Sequence, residues 1–213
     1  MELDLVAELA LVCRDADGRK HSGAQYAVAA GELAELSMLG RVAVDAGFAT
    51  VVDPRPTQRP DLDPVLGWLL SYGKPMRLTR GISERAGFYD WRIRGLADAG
   101  LFEAEHTRAL GMFPISHYRP HPEARDVPLT RLWHLLRGWR EPDLRTTVLA
   151  GILWGSGLGR ALIPYREDRS ALRFFGRRDP LGLAVRELRD EQANAAAGIV
   201  AATVVVTTVA GGS

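Results

Sequence analysis

Residues 24–52 read AQYAVAAGELAELSMLGRVAVDAGFATVV, and this stretch decides the fold class. Its first half repeats apolar side chains at the spacing of one helix face: Tyr26, Ala29, Ala30, Leu33 and Leu36. Such spacing is typical of a helix that packs against a core. Gly40 follows the last of these positions, and glycine is the residue that most often ends a helix. The first half therefore predicts a helix that ends at Gly40.

The second half of the stretch predicts a β-hairpin. Val42 and Val44 alternate with other residues, Asp45-Ala-Gly47 supplies a turn, and Thr50-Val51-Val52 forms the returning strand. The same order of helix, glycine and hairpin recurs at 86–113, around Gly100, without a repeat of the residues themselves. The pattern predicts a helical protein that carries small hairpins.

The flanking segments continue this pattern. Upstream, an apolar helix from Leu3 to Val12 is expected to stop at the turn residues 15–18, and Ser22 with Gln25 matches a capping box. Downstream we expect, in chain order, a proline-bearing loop (53–60), a short helix opened by Pro64, a mostly helical stretch (78–99), a hairpin (101–113), a proline-rich linker (117–122), helices at 129–139 and 146–154, a glycine turn (155–159), and helices at 161–174 and 183–209. The sequence predicts one mainly α-helical domain with small β-hairpins over residues 1–213.

The composition excludes several classes of protein. Hydrophobic residues make up 46% and charged residues 25% of the 213, which is the mix of a folded chain with a core. A single cysteine excludes a disulfide scaffold and a cysteine-based zinc site. The 27 basic and 26 acidic side chains balance, so nucleic acid is not an expected partner. The first residues lack the features of a secretory signal, so we expect a cytoplasmic protein.

Three local patterns lack the context that a catalytic or metal site requires. The glycines of 155–159 follow a predicted helix, whereas a phosphate-binding loop follows a strand. His117 and His121 are four residues apart, but Pro120 and Pro122 prevent the helix that would place both on one face. No set of residues for nucleophilic catalysis is evident. We therefore expect no enzymatic activity, metal or cofactor.

Residues 195–210 form an uncharged run near the end of the chain. A membrane-spanning helix needs about 20 mostly large apolar residues, and this run is shorter and contains threonines and many alanines. We expect a buried terminal helix, with a weak tail anchor as the alternative.

Two segments are locally basic, although the chain as a whole is not. Residues 74–94 and 160–178 each contain six basic and two acidic side chains. In the first segment aromatic residues alternate with the charges, which suits the head-group region of a membrane. The side chains predicted to bind lipid head groups are Lys74, Arg77, Arg80, Arg85, Trp91, Arg92 and Arg94. The alternative is a set of core aromatics with solvated arginines.

The order of these elements resembles the Golgi phosphoprotein 3 family, in particular its bacterial, actinobacterial-type members. The matching pieces are Leu33-Ala-Glu-Leu-Ser-Met-Leu-Gly-Arg-Val42, the Asp-Pro-x-Pro-Thr loop at 53–57, Gly95-Leu-Ala-Asp-Ala-Gly-Leu-Phe102, Phe113 to Pro120, and Glu141-Pro-Asp-Leu-Arg-Thr-Thr-Val-Leu149. The resemblance covers about residues 3–209. It implies a mostly helical domain on the cytoplasmic face of membranes, which in eukaryotic members binds phosphatidylinositol 4-phosphate and retains glycosyltransferases.

The resemblance also implies where a head-group pocket would lie. In the family this pocket uses a Trp in the loop after the first helix, an Arg in the second helix, and a pair of Arg one helical turn apart. The corresponding positions here are Arg19-Lys20-His21, Ala29, and the pair Ala86 and Tyr89. These residues differ from the Trp and Arg of the family pocket, so we expect general attraction to anionic lipids.

Three functions remain open from the sequence. The first is a peripheral, non-enzymatic membrane adaptor that uses the basic segments, with membrane enzymes as clients and an oligomer that presents several copies of the surface. The second is a winged-helix-like DNA-binding regulator, in which the hairpin after Gly100 is the wing, Arg108 lies near its tip, and Arg92 and Arg94 precede it. The third is a protein-interaction scaffold that binds neither lipid nor nucleic acid.

Overall fold

The computed structural model describes residues 3–109 and 113–209, with the side chains of 3–105 and 116–195. The helices in this part of the chain are α1 (Leu5–Val12), α2 (Ala24–Met38), α3 (Asp63–Tyr72), α4 (Leu78–Ala86), α5 (Tyr89–Asp98), α6 (Pro122–Leu136), α7 (Leu144–Gly155), α8 (Gly159–Leu162), α9 (Arg166–Gly176) and α10 (Pro180–Val209). The strands are β1 (Val42–Asp45), β2 (Phe48–Val51), β3 (Met76–Arg77), β4 (Phe102–Ala109) and β5 (Phe113–Pro120). The expected mainly α-helical class with small hairpins is confirmed, while the single domain over 1–213 stays a prediction.

Both predicted hairpins are present, although the second extends beyond the expected 101–113, because its returning strand β5 is Phe113–Pro120. β1 and β2 pair antiparallel with Val42 opposite Val51, and the two-residue β3, which the sequence did not indicate, adds a third strand beside β2. β4 and β5 form a separate antiparallel pair with Phe102 opposite Pro120. Each hairpin follows a helix that ends at a glycine, so the order inferred from 24–52 and 86–113 is correct.

Helix α2 lies at the centre of the core. It packs against α1, α4, α7 and α10, and residues 27–36 are all buried. The sequence predicted an apolar stripe on one face of α2, but in the structure its other face is covered as well. That second face carries Glu32 and Glu35, whose buried carboxylates require partners.

Helices α7 and α10 cross at very short distance because glycines replace side chains at the contact. A methyl group at Gly155 would overlap the carbonyl oxygen of Gly182, and one at Gly182 would overlap that of Gly151. The side chain of Asp179 lies beside Gly151 and accepts a hydrogen bond of 2.7 Å from the Gly182 amide. Burial raises the pKa of Asp179 to about 6.

The predicted capping box at Ser22 and Gln25 is wrong. Gly23 occupies the N-cap position of α2 with φ of 82°, and no side chain caps the helix. This left-handed backbone conformation favours glycine. It places Gly23 directly against the backbone of Ser156, so tertiary packing rather than a side-chain cap determines how α2 begins.

Three boundaries in the second half of the chain also need correction. Residues 117–120 of the expected linker are the end of β5, and the helix expected at 129–139 begins at Pro122 and ends at Leu136. Pro122 stands in the first turn of α6, where a proline costs no hydrogen bond. The helix expected at 161–174 is two helices, α8 and α9, interrupted at Pro164, since proline removes a backbone donor.

The expected terminal helix exists as the last part of α10. Ala195 is exposed, and the side chains from 196 onwards lie outside the described residues, so the burial expected for 195–210 stays a prediction. Among the described helices none has the length and apolarity needed to cross a membrane.

Candidate functional site

The buried carboxylates of α1 and α2 each pair with arginine side chains from other elements. The pairs are Glu8 with Arg131, Glu32 with Arg85 and Arg92, and Glu35 with Arg145. A guanidinium offers several donors in a fixed plane and stays charged when buried, so it suits such pairs better than lysine. Arg85 and Arg92, two of the arginines that make residues 74–94 locally basic, are therefore structural.

Glu32 organises the region of the predicted lipid site. Arg85 Nε donates to Glu32 Oε2 over 2.7 Å, and Arg92 Nη2 donates to Glu32 Oε1 over 2.6 Å. The three side chains are 3%, 8% and 5% exposed for Glu32, Arg85 and Arg92. Arg92 also reaches the backbone oxygen and carboxylate of Asp61. Arg85 and Arg92 are consequently neutralised and do not contribute a free charge to the surface.

Aromatic and cationic side chains contact one another in three groups on α3, α4 and α5 and the segment between them; we call these residues together the α3–α5 face. It contains Trp68, Tyr72, Lys74, Arg80, Arg85, Phe88, Trp91 and Arg92. The guanidinium of Arg85 lies 4.3 Å from the ring centroid of Phe88 and 5.9 Å from that of Trp68. Phe88 and Trp91 are each 51% exposed. The half-exposed rings of Phe88 and Trp91 at the start of α5 thus lie against the buried arginines Arg85 and Arg92.

The exposed cations of this region are fewer than the sequence suggested. Arg80 Nε pairs with Glu84 Oε1 at 2.7 Å, and Arg80 Nη1 donates to the Tyr72 hydroxyl over 2.6 Å. The Glu84 hydrogen bond raises the pKa of Arg80. Within the described residues, Lys74, Arg77 and Arg94 are exposed and have no carboxylate partner. The predicted site therefore retains three free positive charges and one paired exposed arginine.

A further cation beside this face was not among the predicted site residues. Lys20 Nζ lies 4.9 Å from the ring centroid of Tyr89, and the Arg14 guanidinium lies 5.6 Å from the same ring. Lys20 is exposed, whereas Arg14 is buried and donates to the Gly18 carbonyl over 2.6 Å. Two positions that the resemblance assigned to the head-group pocket, Lys20 and Tyr89, are thus neighbours. The contact joins residues far apart in the chain, so no local pattern could reveal it.

The second basic segment does not join the first. Residues 160–178 form α8 and α9, which lie beside α6 and α7, whereas α4 packs against α2 and α10. Across the described side chains, no hydrogen bond, ion pair or ring contact links 160–178 to 74–94. Arg169 donates to the carbonyls of Ile163 and Pro164, and Arg178 lies over Phe174. No shared patch of the two segments is therefore evident.

The other residues considered for chemistry have structural surroundings. Cys13 is buried, and burial raises the pKa of its thiol to about 12. His117 lies on β5, and His121 is the N-cap of α6. Among the described side chains, no group of three or more histidine, cysteine, aspartate or glutamate residues could hold a metal ion. Arg92, which the winged-helix hypothesis requires on an exposed helix face, is buried; the side chain of Arg108 lies outside the described residues.

Comparison with known proteins adds one match. The family model described as Golgi phosphoprotein 3 (GPP34) matches residues 5–202, which is nearly the whole chain and includes every helix from α1 to α9. No curated protein matches the chain. The match agrees with the helix–glycine–hairpin order and with the mainly α-helical structure. The chain therefore belongs to the Golgi phosphoprotein 3 family.

Proposed function

We propose that this protein is a peripheral, non-enzymatic adaptor that binds anionic lipid head groups through the α3–α5 face. Membership of the Golgi phosphoprotein 3 family fits a lipid- or adaptor-type role in general. The observation that carries the proposal is the pair of half-exposed rings, Phe88 and Trp91, together with the exposed cations Lys74 and Arg80, which lie beside Tyr72. Amphipathic aromatic rings with neighbouring cations are typical of proteins at the lipid head-group region.

The surface is suited to weak, reversible binding. Near an anionic surface each free cation contributes about 1 kcal/mol, so the three unpaired cations of residues 74–94, Lys74, Arg77 and Arg94, would together contribute at most about 3 kcal/mol. Covering the exposed halves of Phe88 and Trp91 adds about 2 kcal/mol. A total near 5 kcal/mol corresponds to a dissociation constant of roughly 0.2 mM for one copy. Stable residence on a membrane then requires several copies acting together, which favours an oligomer.

Glu32 gives the proposed surface its shape and limits its charge. Because Arg85 and Arg92 are held by Glu32, they stay beneath Phe88 and Trp91 and stiffen the first turn of α5. Binding to lipid would leave these pairs intact and use the exposed cations around them. The role of all seven predicted residues in lipid binding stays a prediction.

Liposome flotation tests the proposal. The wild-type protein is expected to float with vesicles rich in anionic lipid at low salt, and to detach as salt rises, because exposed charges are screened. The double substitution F88S/W91S should abolish flotation, and K74E should shift the required anionic fraction upward. Phe174→Ser is the matched control, since Phe174 is 52% exposed but lies on α9.

Two outcomes would reject the proposal. One is the absence of flotation with strongly anionic vesicles at low salt. The other is flotation that F88S/W91S leaves unchanged, which would place the lipid contact elsewhere. Retention on duplex DNA at low salt without flotation would favour the winged-helix hypothesis, and a constant protein partner without either activity would favour the scaffold.

A further inference from the structure

A second exposed aromatic cluster lies at the opposite ends of two helices, away from the α3–α5 face. Trp139 follows the end of α6 and Tyr165 is the N-cap residue of α9. They are 68% and 61% exposed, so neither ring serves the core. Together with Leu136, Arg137, Glu167 and Asp168 they line an open cleft of about 470 Å³, which we call the α6–α9 cleft.

Both rings already converge on one cation. The guanidinium carbon of Arg137 lies 5.1 Å from the ring centroid of Trp139 and 5.5 Å from that of Tyr165. These distances are within the range at which a cation is attracted to an aromatic face. The only further partner recorded for Arg137 within the described side chains is Asp168, whose Oδ2 accepts from Nε over 3.3 Å. The guanidinium of Arg137 is thus held by two ring faces and one carboxylate.

The backbone holds the two rings in position. Gly138 has φ of 69°, and the Trp139 amide donates to the His134 carbonyl over 2.8 Å, which closes the end of α6 as a Schellman motif. Tyr165 follows Pro164, and its carbonyl accepts from the Arg169 amide at the start of α9. Because the backbone at both positions is already ordered, ligand binding does not have to order it.

The charge of the cleft favours a positive ligand. Its lining carries two carboxylates, Glu167 and Asp168, against the one guanidinium of Arg137. The faces of both rings are the negative ends of their quadrupoles. An anion would meet these carboxylates and ring faces, whereas a cation would be attracted to all four groups.

We infer that the α6–α9 cleft binds an organic cation, a guanidinium or quaternary ammonium group, which takes the position of the Arg137 guanidinium against Trp139 and Tyr165. Arg137 is then the resident competitor that the ligand displaces. The same chemistry is offered by a free solute or by the choline head group of a zwitterionic lipid.

Calorimetric titration of the full-length protein with choline and with agmatine tests this inference. Saturable binding is expected, and the neutral isostere 3,3-dimethylbutan-1-ol should not bind. Trp139→Ala and Tyr165→Ala should each weaken binding about tenfold, while Trp133→Phe, on α6 outside the cleft, is the control. Arg137→Gln should strengthen binding several-fold, because it removes the competitor and keeps a polar side chain.

The outcomes separate the ligand sources and can overturn the inference. Flotation with pure phosphatidylcholine vesicles that Trp139→Ala abolishes would assign the site to a lipid head group, and choline binding without such flotation would assign it to a free solute. The inference is wrong if neither the wild type nor Arg137→Gln binds choline or agmatine. It is also wrong if the neutral isostere binds equally, or if Arg137→Gln abolishes binding, because the guanidinium of Arg137 would then not be a competitor of the ligand.

Discussion

Replacement of Glu32 by glutamine should destabilise the protein more than almost any other conservative substitution. The amide has nearly the same shape as the carboxylate but carries no charge, so Arg85 and Arg92 remain buried without their main counter-ion. Among the described side chains, Asp61 is then the one carboxylate left within reach of this pair, and it contacts Arg92 at 3.3 Å but not Arg85. Removing one partner of a buried ion pair costs about 3–5 kcal/mol.

The expected change in melting temperature follows from the size of the chain. Unfolding entropy is about 2.1 cal/mol/K per residue near 60 °C, or about 0.45 kcal/mol/K for a protein of this length. A loss of about 3–5 kcal/mol therefore lowers Tm by about 7–11 °C. Urea unfolding followed by circular dichroism, together with calorimetric melting, measures both quantities.

Two further variants serve as controls for the Glu32 experiment. Glu105 pairs with Arg119 on the β4–β5 hairpin, with both side chains about half exposed, so Glu105→Gln should change stability by less than about 1 kcal/mol. The triple substitution E32L/R85M/R92M removes all three charges and should recover most of the loss, because hydrophobic replacement of a buried ionic cluster is often neutral or better. The reasoning is refuted if Glu32→Gln melts no lower than Glu105→Gln.

Two more predictions concern the crossing of α7 and α10. The pKa of Asp179 is raised to about 6. Between about pH 4 and pH 6 the native state therefore keeps a proton on Asp179 that the unfolded chain has already lost. The stability that this group contributes is lost as the pH rises through that window. Asp179→Asn should gain stability over the wild type, by at most about 3 kcal/mol, between pH 4 and pH 7 in urea titrations, and a constant difference across this range would contradict the assignment. Gly155→Ala should lower the free energy of unfolding by more than about 2 kcal/mol, because its methyl group would overlap the Gly182 carbonyl. The control Gly95→Ala lies on α5 with open space around it and should stabilise the protein by about 0.5–1 kcal/mol. Equal melting temperatures for the two variants would show that α10 moves freely against α7.

Apolar periodicity predicted most of the helices because it reports burial directly. The stretch 24–52 yielded a helix, a terminating glycine and a hairpin, and the structure has all three. Errors occurred where packing replaced a local signal. Gly23, and not the predicted capping box of Ser22 and Gln25, begins α2, where it packs against the backbone of Ser156. The strand β3 consists of two residues that pair with the neighbouring strand β2.

The candidate site was predicted less well than the fold. The sequence drew attention to 74–94, where Phe88, Trp91 and Lys74 are exposed, and the lipid site there stays a prediction. It could not separate free cations from paired ones, because a guanidinium is equally compatible with water and with a buried carboxylate. Glu32 lies 53 residues before Arg85 and 60 before Arg92.

By itself the sequence determined the helical class and most of the order of helices and hairpins, because apolar spacing, glycine and proline act over a few residues, and the resemblance of its segments indicated the family. Only the tertiary structure decided which charges face solvent. In the tertiary structure Arg85 and Arg92 pair with Glu32, whereas Lys74 and Arg94 are exposed without a carboxylate partner among the described residues. Trp139 and Tyr165 both lie beside the guanidinium of Arg137. The physical reason is that burial of an apolar side chain is visible in its spacing along the chain, whereas the partner of a charge depends on which distant element packs beside it.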